Sequence, residues 1–169
     1  LSDLRGTPRG NAIADYAGSR YRPINLSLRD PSYARQLLED RGQQFIDDIH
    51  GTIRQLDQVL SESVTRAPVV SYRGMRPPAS WAGNWDKIAG TTFQDLGFTS
   101  TSLDPTVATR IFTDRSEKIV MRIVVPQGTH ALYLISNEQE LLLARGTHFR
   151  ILSTTIEDGR RIVNAVVQP

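Results

Sequence analysis

The stretch that decides the fold of this chain runs from residue 135 to residue 146 and reads ISNEQELLLARG. Two glutamates, Glu138 and Glu140, stand two residues apart, directly ahead of an apolar run. In an extended strand, residues i and i+2 project from the same face, so the two carboxylates should point together, with Leu141 and Leu143 on the opposite face. Their mutual repulsion should raise the pKa of at least one of them. Such a pair beside an apolar strand indicates a functional site.

Strand patterns dominate the chain on both sides of this stretch. Short β-rich runs bounded by turn residues predict strands at residues 69–73, within residues 93–102, and at residues 118–125, 131–135, 138–144, 148–156 and 161–167. Asp158-Gly159 fits a hairpin turn between the last two runs. Between the second and third runs, residues 106–112 predict a short helix.

The helical period lies ahead of the strands, in residues 31–66. Apolar residues recur there at three- and four-residue steps and predict one buried stripe, formed by Phe45, Ile49, Ile53, Leu56 and Leu60. Asp30 is the predicted N-cap and Pro31 suits the first turn. Gly42 should divide the run into two helices.

The first 30 residues carry several glycines and prolines and are predicted to be irregular, with a loop at residues 15–25 and a short helix at most at residues 11–16. Helices followed by strands predict an α+β fold. We expect one domain over residues 1–169, with its mainly β core at residues 67–169. Because the chain starts at Leu1 without a signal-like segment, we also expect it to be a domain of a longer protein.

Composition excludes several classes of protein. The 169 residues are 39% hydrophobic and 22% charged, as in an ordinary globular protein, and the net charge of +2 gives no global case for nucleic-acid binding. The absence of cysteine excludes disulfides, thiolate metal sites and a cysteine nucleophile. The three histidines are scattered, so we predict no metal site. No apolar run approaches the ~18 residues of a membrane span, so we predict no membrane insertion.

Two further motifs precede the glutamates. Residues 71–74 read SYRG, which places Arg73 at the end of an apolar strand, and residues 97–102 read GFTSTS, a hydroxyl-rich strand edge. The order aromatic-Arg, Ser-Thr-Ser and Glu-x-Glu, each on a predicted strand, resembles the mono-ADP-ribosyltransferases of bacterial toxins and effectors. The strand after the glutamates and the Arg-Gly turn at residues 145–146 are also similar to that family.

This resemblance implies an enzyme that transfers ADP-ribose from NAD to a macromolecule and releases nicotinamide. NAD is then a consumed substrate, and no metal is required. It implies N-terminal helices followed by two antiparallel sheets packed at a steep angle, with NAD in the cleft between them. The classical Gly-rich dinucleotide fingerprint is absent. The chemistry agrees, since an oxocarbenium-like transition state needs a fixed carboxylate and a pyrophosphate suits a guanidinium.

The resemblance assigns catalytic roles to three residues. Glu140 matches the second glutamate of the family motif, which implies binding of the ribose 2′-hydroxyl and stabilisation of the developing cation. Glu138 matches the first glutamate, which orients or deprotonates the attacking group, and a glutamate at this position favours arginine as acceptor. Ser100 matches the serine that holds the catalytic glutamate.

Other residues are implied as NAD contacts. Arg73 matches the NAD-binding arginine, and Gly74 offers backbone hydrogen bonds to the nicotinamide amide. Thr101 and Ser102 shape the strand and lip of the pocket, a role that is as much structural as functional. The loop after these strands offers contacts to nicotinamide and phosphate from Phe112 and Arg115.

Two alternative functions stay open, an NAD glycohydrolase with water as acceptor and a non-catalytic binding module that keeps the fold. A two-carboxylate glycosidase is excluded, because glutamates at i and i+2 have no opposed faces for acid and base. The expected target is a protein, with RNA as the alternative, and a cognate immunity protein would cover the cleft. We expect secretion or delivery into a target cell and action in its cytoplasm. The loop before Glu138 is short for the family, so Tyr133, Trp81 and Trp85 are candidate aromatic contacts to the target.

Overall fold

The computed structural model of this chain describes residues 5–110, 118–134 and 139–169. Its first part is helical and consists of α1 (Pro8–Asp15), a π-helical segment (Tyr16–Arg20), α2 (Tyr21–Arg29) and α3 (Pro31–Ser61). None of the described helices is long and apolar enough to cross a bilayer.

The prediction of an irregular N-terminal segment, with a loop at residues 15–25, is wrong for residues 8–29, which are helical. The side chain of Thr7 caps α1 by accepting a hydrogen bond from the N–H of Gly10 at 3.1 Å, and proline follows in the first turn. The breaker Gly18 does adopt non-helical angles, yet the chain continues as helix on both sides of it. Tertiary packing overrides local propensity here, because these helices bury Tyr16 and Ile24 against α3.

Helix α3 follows its predicted pattern. The carboxylate of Asp30 caps it by accepting a hydrogen bond from the N–H of Ser32 at 2.8 Å, and Pro31 lies in the first turn. Gly42 interrupts the helix with a φ of 80°, a conformation that favours glycine. The predicted apolar stripe is confirmed, since its members all belong to one hydrophobic cluster: Phe45, Ile49, Ile53, Leu56 and Leu60.

Eight strands follow within the described residues. They are β1 (Val69–Met75), β2 (Thr92–Gln94), β3 (Thr99–Ser102), β4 (Ile119–Val125), β5 (Ala131–Leu134), β6 (Glu140–Leu143), β7 (His148–Glu157) and β8 (Arg160–Gln168). A short 3₁₀ turn (Ala79–Trp81) follows β1, and the predicted short helix is α4 (Pro105–Arg110). The hairpin turn at Asp158 and Gly159 has positive φ at both residues, 50° and 74°, as a two-residue type I′ turn requires.

The strands are hydrogen-bonded in the order β2-β7-β8-β4-β1-β3-β6-β5. Only β4 and β8 pair in parallel among the described strands, and the other neighbours are antiparallel. The α+β class is therefore confirmed. The two separate sheets of the prediction are not, because all eight strands form one series. Its narrowest join is β1 to β3, through the single described residue pair Tyr72 and Ser102.

The core has two main clusters, and β6 contributes to both. Leu141 and Leu143 belong to a cluster formed mainly by strand residues, with Met121, Phe149 and Val163. Leu142 points to the opposite face and packs with the helices, in a cluster that includes Tyr16, Leu56 and Phe98. Leu141 and Leu143 thus share one face, as predicted. Strand alternation places Glu140 on the other face with Leu142, directed toward the helices.

Candidate active site

A cleft of about 510 Å³ opens between the N-terminal helices and strands β1, β3 and β6, within the usual size range for a small-molecule site. Its walls come from distant parts of the sequence: Tyr16, Ala17, Tyr21, Asn25, Arg29, Tyr72, Arg73, Gly74, Phe98, Ser100, Thr101, Ser102, Val107, Ala108 and Glu140.

The antiparallel pairing of β3 with β6 brings Ser100 to Glu140. Ser102 lies opposite Glu140 and Ser100 lies opposite Leu142, so the two serines and the glutamate project from one face of the sheet. The hydroxyl of Ser100 donates a hydrogen bond to the carboxylate of Glu140. Thr101 points the other way and is buried, and its hydroxyl donates to the carbonyl of Leu141 at 2.8 Å. Ser100 therefore orients the glutamate, whereas Thr101 ties the two strands together.

The residue before Glu140 has an unusual backbone. Gln139 has a φ of 46°, in the left-handed region that non-glycine residues seldom occupy. Its carbonyl accepts a hydrogen bond from the N–H of Leu103 at 3.0 Å, which fixes this conformation against the segment after β3. The strain falls directly beside the carboxylate that points into the cleft, a position where such strain commonly marks a functional site. Glu138 lies outside the described residues, and the predicted effect of a glutamate pair on pKa stays a prediction.

Two arginines of the cleft converge on one buried carboxylate. Asp95 accepts hydrogen bonds from Nε and Nη2 of Arg29 at 2.7 and 3.0 Å, and from Nη1 of Arg73 at 3.1 Å. The N–H of Gly97 and the hydroxyl of Thr99 also donate to it, at 2.9 and 3.1 Å. The exposed fraction of the side chain is 6% for Asp95, 18% for Arg73 and 32% for Arg29. The aspartate is thus enclosed while both guanidinium groups reach the cleft.

Burial and pairing act in opposite directions on these groups. Burial alone would raise the pKa of Asp95, but the hydrogen bond from Arg29 and the positive charge of Arg73 hold that pKa below its ordinary value of 3.8. Burial lowers the pKa of Arg73, and Asp95 opposes that shift. Both groups stay charged at neutral pH, so the ion triad leaves one net positive charge beside the cleft.

The depressed pKa of Asp95 makes its contribution to stability depend on pH. A carboxylate with a lowered pKa in the folded state stabilises the protein above its unfolded pKa, and that contribution is lost as the pH falls through the folded pKa. We expect Asp95→Asn to lower the free energy of unfolding by about 2 kcal/mol at pH 7, and the difference from the wild type to shrink below about pH 4. Urea denaturation at both pH values measures this. An equal difference at pH 7 and pH 3 would contradict it.

Helix α2 is held to the sheet by a buried amide. The side chain of Asn25 donates to the hydroxyl of Tyr16 at 2.8 Å and accepts from the N–H of Phe98 at 2.9 Å. Burial raises the pKa of Tyr16 to about 12, so this hydroxyl stays protonated. A Cβ added to Gly97 would lie 2.8 Å from Oδ1 of Asn25 and 2.9 Å from Nε of Arg29, so the close approach of this turn to the helix requires glycine.

The sequence predicts nine site residues. Six of them line this cleft: Arg73, Gly74, Ser100, Thr101, Ser102 and Glu140. Glu138, Phe112 and Arg115 lie outside the described residues. Across the described ranges, no group of three or more His, Cys, Asp or Glu side chains could hold a metal ion.

The helical wall of the cleft is not among the predictions from the sequence. Tyr21, Asn25 and Arg29 follow one another at four-residue steps and therefore share one face of α2. That spacing is visible in the sequence, but Gly18 and Pro23 favour a loop over residues 15–25, so the sequence alone does not indicate a helix face there. Asp95 was also missed. The only sequence feature that points to Asp95 is its position two residues before Gly97, the glycine that approaches α2.

The three aromatic candidates for target contact have different environments. Trp81 is buried in the strand cluster and stacks edge-on with Phe93, with ring centroids 5.5 Å apart. Trp85 packs against the same cluster and lies under the guanidinium of Arg161, 4.4 Å from the ring centroid. Tyr133 is 46% exposed on β5, the strand next to Glu140. Of the three, only Tyr133 has the exposure that a target contact needs.

Comparison with known proteins identifies the family of the chain. The family model of the ADP-ribosyltransferase exoenzymes matches residues 8–168. No curated protein sequence matches the chain significantly.

Several solved toxins share the fold. The Vis toxin of Vibrio splendidus, an ADP-ribosyltransferase, is 23% identical over 99% of this chain and 76% of its own, with a TM-score of 0.77, and it has also been solved in complex with agmatine. C3larvin of Paenibacillus larvae, an ADP-ribosyltransferase, is 23% identical over 99% of this chain and 90% of its own, with a TM-score of 0.70. The toxin BECa of C. perfringens, solved with NADH, is 18% identical over 96% of this chain and 43% of its own, with a TM-score of 0.76.

The family match covers nearly the whole chain and includes all three motifs together with the helices that complete the cleft. The chain belongs to the ADP-ribosyltransferase exoenzyme family and is an NAD-dependent ADP-ribosyltransferase.

Proposed function

We propose that this enzyme transfers ADP-ribose from NAD to an arginine side chain of a protein target and releases nicotinamide. One observation carries the proposal. A carboxylate oriented by a serine hydroxyl, Glu140 with Ser100, shares its cleft with the guanidinium groups of Arg29 and Arg73. Such a cleft offers a negative group for a developing cation and positive groups for a pyrophosphate.

The pyrophosphate of NAD is assigned to the arginine pair. Arg73 donates one N–H group to Asp95, and its other N–H groups donate to no described residue. Arg29 keeps Nη1 free of hydrogen bonds to the described part of the chain. These donors and the net positive charge suit the two negative charges of a pyrophosphate. Gly74 lines the cleft and has no side chain that would block the approach of the nicotinamide amide to the backbone.

Glu140 is assigned to the reacting centre. When the bond between C1′ of the ribose and the nicotinamide nitrogen breaks, the electron pair leaves with the nicotinamide and positive charge develops on the ribose. A carboxylate fixed next to C1′ and the 2′-hydroxyl stabilises that charge more in the transition state than in the ground state. The hydrogen bond from Ser100 fixes its orientation before NAD binds, so little reorganisation is needed during reaction.

The acceptor is assigned through Glu138. A guanidinium nitrogen of the target attacks C1′ and loses a proton, and a carboxylate two residues from Glu140 is suited to orient that guanidinium and accept the proton. The agmatine complex of the Vis toxin supports an acceptor of this class, because agmatine carries a guanidinium group. Thr101 and Ser102 support the strand beside Glu140, and Phe112 and Arg115 are assigned to nicotinamide and phosphate.

The wider setting of the reaction is proposed from the toxin family. The target is a protein inside a cell into which the enzyme is delivered, and the reaction takes place in the cytoplasm of that cell. A producing cell would then need an immunity protein that covers the cleft. If the label from NAD appears on RNA and not on protein, the target is an RNA.

Labelled NAD tests the acceptor assignment directly. The domain is incubated with labelled NAD in a cell lysate, and free nicotinamide and macromolecule-bound label are followed separately. For Glu138→Gln we expect transfer to fall at least about a hundredfold, the usual size of general-base catalysis, while NAD hydrolysis falls much less because water needs no guanidinium-binding carboxylate.

The matched control is Glu62→Gln, since Glu62 pairs with Arg9 on the surface and does not line the cleft. This control should keep both activities. Equal loss of transfer and hydrolysis in Glu138→Gln would contradict its role. Nicotinamide release by the wild type without bound label would identify an NAD glycohydrolase, and no release would contradict the proposed activity.

A further inference from the structure

Asp95 holds the two arginines of the cleft in one arrangement. Both of its oxygens accept more than one hydrogen bond: Oδ1 from Arg29 and from the N–H of Gly97, and Oδ2 from Arg29, Arg73 and Thr99. Its side chain is 6% exposed, and it does not line the cleft itself. Its contact with the cleft is therefore made through the two guanidinium groups.

The arginines reach this carboxylate from different elements. Arg29 is the last residue of α2 and Arg73 lies in β1, and they stand 66 and 22 residues from Asp95 in the sequence. Two guanidinium groups brought this close repel each other, and a partly buried guanidinium needs a counter-charge. A carboxylate between them supplies that charge and also sets the direction in which each planar fork points.

We propose that Asp95 is a positioning residue for substrate, whose buried carboxylate aligns the guanidinium groups of Arg29 and Arg73 so that their remaining N–H groups converge on the pyrophosphate of NAD. The inference rests on the proposed function, in which these arginines bind the pyrophosphate. A merely structural aspartate would affect every ligand of the cleft alike. A positioning aspartate affects only ligands that carry phosphate.

The amide of asparagine cannot replace this carboxylate. It keeps one acceptor oxygen, but it replaces the other with an NH₂ group that has to face guanidinium donors. It also removes the negative charge, so the two arginines repel each other without compensation. The guanidinium groups of Arg29 and Arg73 should then turn away from each other, and their free N–H groups should no longer converge on the pyrophosphate.

Binding measurements on protein that cannot turn over NAD test this inference. In a Glu140→Gln background, calorimetry measures the dissociation constants of NAD and of nicotinamide, which occupies the same cleft without phosphate. Adding Asp95→Asn should raise the dissociation constant of NAD about thirtyfold, the lower end of the cost of losing a buried charge partner. The constant for nicotinamide should change less than about twofold.

A matched control exists on the surface. Asp57 also accepts hydrogen bonds from Nε and Nη2 of an arginine, Arg145, but this exposed pair lies outside the cleft. Asp57→Asn should leave both dissociation constants unchanged. If Asp95→Asn binds NAD as well as its Glu140→Gln parent, or loses NAD and nicotinamide equally, the positioning role is overturned.

A second variant keeps the test decisive if Asp95→Asn does not fold. Asp95→Glu keeps the charge and displaces it by one methylene, so it should weaken NAD binding and leave nicotinamide binding intact. Parental affinity for both ligands in this variant would overturn the inference. The proposed function has a separate test in the same Glu140→Gln background. If the Glu140→Gln parent does not bind NAD, and the variants that add Arg73→Lys or Asp57→Asn do not bind it either, the proposed function is contradicted.

Discussion

Replacing Glu140 with glutamine is expected to lower kcat for both ADP-ribosyl transfer and NAD hydrolysis by about a thousandfold, the size that loss of one preorganised electrostatic contact reaches. Glutamine keeps the shape and accepts the hydrogen bond from Ser100, so the cleft stays intact. It lacks the negative charge that opposes the positive charge on the ribose. Both reactions pass through that cation, so both should be lost together. Release of labelled nicotinamide measures hydrolysis, and bound label measures transfer.

Two controls define the result for Glu140. Ser100→Ala removes the orienting hydroxyl but keeps the carboxylate, so its loss of kcat should be smaller, about tenfold. Glu62→Gln changes an exposed glutamate that pairs with Arg9 and does not line the cleft, so it should keep full activity. Retention of hydrolysis in Glu140→Gln would show that another group stabilises the ribose cation, and would remove this residue from its proposed role.

Replacing Phe98 with alanine is expected to lower the free energy of unfolding by about 3–5 kcal/mol, a large part of the 5–15 kcal/mol of a typical domain. Phe98 is fully buried in the cluster between the helices and the sheet, and its ring meets that of Tyr16 edge-on, with centroids 5.7 Å apart. The backbone of Phe98 also accepts a hydrogen bond from Arg29 and donates one to Asn25. The cavity left by the ring should therefore loosen the helical wall of the active site.

Urea denaturation of Phe98→Ala measures this loss, with Phe45→Ala as the matched control. Phe45 belongs to the same cluster but is only half-buried, and the guanidinium of Arg41 lies 4.3 Å from its ring centroid on the surface. Its replacement should cost less than half as much, because less of the ring leaves a packed environment. Equal losses in the two variants would contradict the placement of Phe98 at the centre of the core.

The strands could be predicted because their information is local. Each β-rich run ends at a turn residue, and the helical stripe of α3 repeats with a period that burial alone explains. The N-terminal helices could not be predicted in this way. Gly18 and Pro23 favour loops. The burial of Tyr16 and Ile24 against residues that are distant in the sequence overrides that preference. The continuity of the sheet through Tyr72 and Ser102 is equally non-local.

The residues of the candidate site also differ in whether local sequence is enough to predict them. Arg73, Ser100 and Glu140 carry their signal in short motifs on strands, and all three line the cleft. Arg29 and Asn25 were missed with the helix that carries them. Asp95 could not have been found from its neighbours, because its importance comes from two arginines that only the fold brings to it. A sequence motif identifies the residues that face the substrate more readily than the residues that hold them in place.

The helical wall also has a consequence for how the enzyme becomes active. The contacts that close the cleft join Asn25 to Phe98 and Arg29 to Asp95, across 73 and 66 residues of chain. Closing such long loops costs conformational entropy that only the surrounding packing offsets, so contacts of this range form late in folding. Any fragment that contains both walls must span most of the chain, from Tyr16 to Glu140. A nascent, threaded or partly unfolded chain therefore lacks the complete cleft, and we expect catalytic activity only from the completed fold.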